Sequence, residues 1–146
     1  MRYEDFQFLL FDRQPDGVLL VTLNRPEVMN ATNSRMHWEL TQVWGVIDDD
    51  PGVKVAVVTG AGERAFSAGG DLGMVEEMAD SQATTMRVMK EASDIVYNML
   101  ACDKPIVSAI NGTAVGVLWV AVAALGVQLA VLTLAFLRRA RVLGLR

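Results

Sequence analysis

Arg64-Ala65-Phe66-Ser67-Ala68-Gly69-Gly70-Asp71-Leu72 is the stretch on which the fold turns. It follows an apolar run from Val53 to Thr59 in which Val55, Ala56, Val57 and Val58 are continuous, the pattern of a strand covered on both faces. Small residues and two adjacent glycines come next, and then an aspartate suited to start a helix. Glycine lacks a Cβ and reaches positive φ, so peptide N–H groups in such a loop can be turned toward a bound oxygen. Peptide donors held in this way make an oxyanion hole, often the largest single term in acyl chemistry.

Upstream, the runs Phe6 to Phe11 and Val18 to Leu23 flank Asp12-Arg13-Gln14-Pro15-Asp16-Gly17, whose Pro and Asp-Gly predict a hairpin turn. Pro26 then takes the chain out of the sheet. Asn33 or Ser34 caps a predicted helix with Met36, Leu40, Val43, Trp44 and Ile47 at helical spacing. That helix ends at Asp48-Asp49-Asp50-Pro51-Gly52, where three acids sit against the unfavourable end of the helix dipole. Downstream of the glycine loop, Ser81 to Ala101 reads as a long helix with Met86, Met89, Val96 and Leu100 on one face. Its other face offers Arg87/Glu91 and Lys90/Asp94 pairs. Lys104-Pro105 stops it, Ile106 to Ile110 reads as a short buried strand, and Asn111-Gly112 turns the chain. Strands alternating with helices give an α/β unit.

The chain has 146 residues, room for one domain with a real core. All 17 acidic side chains lie at or before Asp103, so the body is strongly acidic, and this argues against a nucleic-acid partner. From Thr113 to Leu137 there are 25 residues without a charge, followed by Arg138, Arg139, Arg141 and Arg146. That length meets the bilayer criterion, so residues 113–137 as an apolar span, in a membrane-anchored or interaction protein, stand as the alternative. Against it, the positive-inside rule would place the acidic part outside with no signal peptide to take it there. The N-terminus Met1-Arg2-Tyr3-Glu4-Asp5 has the character of neither a signal nor a transit peptide, which gives a cytoplasmic expectation. The one cysteine, Cys102, reads as a buried structural thiol, and no metal site is expected.

Three chemistries can be weighed on residues alone. Gly60-Ala61-Gly62-Glu63-Arg64-Ala65 fits the G-x-G-x-x-G/A nucleotide fingerprint, but no helix opens at its glycines and no acid ends a following strand. His37, the single histidine, has no acidic neighbour on its own face of the helix and reads as a surface or packing residue rather than a general base. The Gly-x-Ser-x-Gly elbow of serine hydrolases is absent.

The third chemistry joins the glycine loop to Lys104-Pro105-Ile106-Val107-Ser108-Ala109-Ile110-Asn111-Gly112-Thr113-Ala114-Val115-Gly116. With Leu23-Asn24-Arg25-Pro26 and Asn30-Ala31 before them, these segments resemble the crotonase superfamily, the enoyl-CoA hydratase/isomerase family, over about Tyr3 to Gly116. The resemblance implies the crotonase-like (ClpP/crotonase) spiral of β-β-α units, N-terminal part only. Residues 1–116 would form an acyl-CoA-binding core, and residues 117–146 a diverged apolar segment with a basic end. It implies catalytic oxyanion-hole donors at the N–H groups of Ala68 and Val117, the second at a helix start just after Gly116. Ser67, Gly69, Gly70, Asp71 and Gly116 would line the acyl-CoA pocket, and Arg25-Pro26-Glu27 would touch coenzyme A. Asp71 is equally suited to cap the following helix. The partner would be an acyl-CoA thioester, with no cofactor beyond the coenzyme A of the substrate, and family members usually form trimers or hexamers.

Two departures from the family pattern stand out. The family's catalytic glutamates match Val120 and, further on, the region of Ala140, and no carboxylate follows Asp103. Family chains also continue well past the position of Arg146, so the sequence reads as a C-terminally truncated member. The nearest acids to the glycine loop are Asp71, Glu76 and Glu77.

Overall fold

A computed structural model describes residues 1–115 of the chain. Its main sheet has the strands β1 (Leu9–Arg13), β2 (Val18–Leu23), β3 (Val55–Gly60) and β5 (Ile106–Ser108), side by side in that order. β1 and β2 form the expected antiparallel hairpin, with Asp16 and Gly17 at positive φ in the turn. β2, β3 and β5 run parallel, and the connections carry the helices α1 (Ser34–Asp48), α2 (Leu72–Asp80) and α3 (Gln82–Ala101). A second, two-stranded parallel sheet pairs β4 (Ala65–Ser67) with β6 (Thr113–Ala114).

Alternation in β2 buries Leu19, Val21 and Leu23 against Met36, Leu40, Val43, Trp44 and Ile47 of α1, the stripe that helical spacing predicts. Asn33 caps α1 by accepting the Met36 N–H at 2.9 Å. At the other end Lys104 answers the misplaced acids: its ammonium donates to the carbonyl oxygens of Ile47 and Asp50, where the helix dipole favours a cation. Asp48 accepts the Asp103 N–H at 2.9 Å, and Asp50 pairs with Arg13.

Four local expectations are corrected. The first strand begins at Leu9 rather than Phe6, because the N–H groups of Gln7 and Phe8 donate to the buried Glu39 carboxylate at 2.7 and 2.9 Å instead of joining the sheet. The fifth strand ends at Ser108, since the Ala109 N–H is its last link to Val58 and the Thr59 hydroxyl takes the Ala109 carbonyl. The buried face of α3 is Val88, Glu91, Ile95 and Met99, whereas Met86, Met89 and Leu100 are exposed. α3 is apolar on more than one side, and packing against α1 selects the side. Cys102 is half-buried rather than fully buried, with its sulfur 3.6 Å from an Asp48 oxygen.

β3 leads through a turn into β4, with no helix at Gly60–Gly62, which is inconsistent with a dinucleotide fingerprint. Among the described residues no helix is long and apolar enough to cross a membrane. The candidate span 113–137, the boundary at 116/117 and the residues Gly116 and Val117 fall outside the described residues from position 116 onward.

Candidate active site

Two asparagines fix the approach to the glycine loop. Asn30, fully buried and at φ 55°, accepts the Arg25 N–H at 2.9 Å and donates to the carbonyl oxygens of Ala61 at 3.0 Å and Ala65 at 2.8 Å. Asn111 donates to the carbonyl oxygens of Gly60 and Gly62 at 2.8 and 2.7 Å. The motifs Asn30-Ala31 and Asn111-Gly112 are therefore clasps that hold residues 60–65 from both sides. Gly60 must be glycine here: a Cβ would stand 2.4 Å from the Ala65 carbonyl oxygen.

The loop that results faces a cleft of about 140 Å³ bounded by α1, α2 and α3. Ser67, Gly69 and Gly70 form its rim, Thr32, His37 and Leu40 one wall, and Met74 and Met78 of α2 with Val88 and Ile95 of α3 the other. An apolar cleft with a few convergent polar groups is the usual form of a small-ligand site. Among the described residues no three His, Cys, Asp or Glu side chains gather in a way that could hold a metal ion.

Each residue predicted for the site can now be placed. The Ala68 N–H donates to the Met29 carbonyl oxygen at 2.9 Å, so the expected oxyanion donor is already engaged. Two residues on, the exposed Gly70 has an N–H that donates to no other described residue, while its neighbours Gly69 and Asp71 lock the loop to Thr32. Ser67 is buried, with its hydroxyl donating to the Asn30 carbonyl at 3.0 Å and accepting the Gly69 N–H at 3.2 Å.

Arg25 and Asp71 meet each other instead of converging on the cleft. The guanidinium reaches Asp71 Oδ2 at 2.8 Å and the Ala31 carbonyl at 2.6 Å, and Asp71 Oδ1 accepts the Gly73 N–H at 2.9 Å as the cap of α2. Both carboxylate oxygens are thus occupied, in the capping arrangement to which its position before α2 is equally suited. The hydrogen bond from Arg25, with that from Gly73 and the nearby positive charge, holds the Asp71 carboxyl below its ordinary range. Pro26 and Glu27 stand exposed in the turn Pro26–Val28. Glu77 accepts from the Ser34 hydroxyl at 2.7 Å, and neither it nor Glu76 lines the cleft.

His37 departs most from expectation. It is buried, and its Nδ1 lies 2.8 Å from Oε2 of Glu91 on α3, whose Oε1 accepts from Arg87 at 2.9 Å. The i,i+4 pairing of Arg87 with Glu91 is readable from spacing; the meeting of Glu91 with a residue 54 positions away is not.

This frame has known counterparts. The sequence model of the enoyl-CoA hydratase/isomerase family matches residues 13–124. The chain belongs to that family. It is 40% identical over 99 residues to the (E)-benzylidenesuccinyl-CoA hydratase of Thauera aromatica, which covers 68% of this chain and 38% of the relative. It is 36% identical over 100 residues to the carnitinyl-CoA dehydratase of Escherichia coli K12, over 68% of this chain and 37% of that one. A crystal structure of an enoyl-CoA hydratase/isomerase from Mycobacterium paratuberculosis matches with TM-score 0.64 at 40% identity, over 70% of this chain and 41% of the other. The chain therefore has the fold of the N-terminal part of crotonase-family proteins and spans less than half the length of these relatives.

Proposed function

We propose that the chain binds an acyl-CoA thioester, its carbonyl oxygen on the Gly70 N–H and its acyl group in the cleft between α1, α2 and α3. The observation that carries this reading is the Gly70 N–H, without a partner among the described residues at the rim of an apolar cleft, in a chain of this family. An N–H donor at a developing oxyanion stabilises the enolate form of the thioester and so acidifies the α-carbon. Gly70 takes the role that the sequence alone assigned to Ala68; Val117, after Gly116, remains the second donor of the proposal. The exposed turn at Pro26 and Glu27 would face coenzyme A. Hydration of an enoyl thioester, or migration of its double bond, is the reaction class, and the reading involves no further cofactor.

Calorimetric titration of the full chain with acetoacetyl-CoA and with free coenzyme A tests it. Binding of the thioester at least about tenfold tighter than coenzyme A, roughly 1.4 kcal/mol, is expected if the acyl part is recognised. Equal affinities would overturn the acyl site. Incubation with crotonyl-CoA, with the product identified by mass spectrometry, then reports whether water is added.

A further inference from the structure

We infer that His37, held by Glu91, is the proton-handling group of this cleft. The inference rests on the acyl-CoA reading above and adds to it a group that accepts a proton from the bound acyl chain.

Among the described residues His37 is the one titratable side chain lining the cleft, whose other walls are mostly aliphatic and methionine side chains. Its two ring nitrogens differ in environment. Nδ1 is bonded to Glu91 Oε2 at 2.8 Å, and Glu91 is itself fixed by Arg87. Nε2 makes no hydrogen bond to another described residue, and among the described residues the one polar side-chain atom both sealed from solvent and unpartnered is Trp44 Nε1. Nε2 is thus without a partner among the described residues, and His37 lines the same cleft as Gly70.

A carboxylate that accepts at Nδ1 places the ring proton there and leaves the Nε2 lone pair facing outward, the tautomer a general base requires. In the step inferred, the α-carbon of the thioester gives its proton to Nε2. The C–H electron pair passes into the enolate, whose oxygen rests on the Gly70 N–H, and the ring becomes an imidazolium beside Glu91. Return of the proton to carbon restores the neutral ring and the thioester, so no oxidant or other reactant is needed.

Among the described residues the charged groups around the imidazole are few. Glu91 and Arg87 face it from α3, Glu77 of α2 is bonded to Ser34 one turn earlier on α1, and Asp71 of the loop is paired with Arg25. Glu91 is the one in direct contact, and it acts as the positioning residue.

Because the sequence has a single histidine, imidazole nitrogen signals of the full chain labelled with 15N-histidine report on this position alone. Saturation with acetoacetyl-CoA is expected to move the Nε2 signal, and butyryl-CoA in heavy water is expected to gain deuterium at its α-carbon. H37Q is expected to bind the thioester within a fewfold of the parent while exchange falls at least about a hundredfold, the range for loss of a general base. E91Q is expected to shift the pH profile of exchange. Thioester binding with an unmoved Nε2 signal, or undiminished exchange in H37Q, would overturn the role of His37 and leave the acyl-CoA reading standing. Absence of thioester binding would overturn both. Should H37Q not fold, the response of the Nε2 signal decides the matter.

Discussion

Asn30 Nδ2 donates to the Ala65 carbonyl oxygen at 2.8 Å, so the turn that follows β2 is tied directly to the strand that presents the glycine loop. The same fully buried side chain makes two further hydrogen bonds, from the Arg25 N–H and to the Ala61 carbonyl oxygen. N30A strands their partners and places alanine at φ 55°. The expected loss is about 3 kcal/mol in urea unfolding, with N30G recovering about 1 kcal/mol of it. A loss below about 1 kcal/mol would remove the clasp from the account of loop geometry.

The Arg25–Asp71 pair predicts how stability responds to acid. Asp71 titrates below its ordinary value in the folded chain, chiefly through the hydrogen bond from Arg25. Its contribution is therefore complete above the unfolded carboxyl value near pH 3.9 and is lost as pH falls through the lower folded value. D71N keeps a capping side chain but removes the charge. Its stability is expected to be about 0.5–1 kcal/mol lower at pH 7, discounted for partial exposure, with the gap closing in acid. Chemical denaturation from pH 7 to pH 2 measures both limbs; a gap independent of pH would contradict the ion pair.

Two glycines should respond oppositely to alanine. At Gly60 a Cβ meets the carbonyl oxygens of Ala65 and Phe66 at 2.4 and 2.6 Å, so G60A must displace the backbone that carries the site. A loss of more than about 4 kcal/mol, or failure to fold, is expected. Gly45 lies inside α1 with nothing within 4 Å of its Cβ position, and G45A is expected to gain about 0.5–1 kcal/mol from helix propensity. Thermal melts of the pair check both signs.

Burial, followed by the contact with Asp48, pushes the Cys102 thiol above its ordinary value despite the nearby Lys104. The thiolate is the reactive form, so alkylation by iodoacetamide at pH 8 should run several-fold slower than for free cysteine and reach that rate in urea. Equal rates before and after unfolding would contradict the packing of Cys102 against α1.

Wherever its cause is local, the structure follows from the sequence. The Asp-Gly turn, the α1 stripe, the cap at Asn33, one of the two residues proposed for it, and the stop at Pro105 each depend on residues within a few positions of one another, and each is found as expected. β4 and β6 escape such reasoning, because strands of three and two residues have too little period to show. The face of α3 escapes it too, because its apolar residues allow more than one stripe.

By itself, then, the sequence determined the family, which four short motifs in sequence order encode, and the longer strands and helices, whose periods show locally. Only the tertiary structure decided what each group around the glycine loop is free to do. It engages the Ala68 N–H with Met29 and leaves that of Gly70 without a described partner. It occupies Arg25 and Asp71 with each other, and it brings Glu91 across from α3 to His37. The physical reason is that a hydrogen-bonding group is available only when no other group satisfies it, and those competitors lie tens of residues away, placed by the packing of α1 and α3 on the sheet.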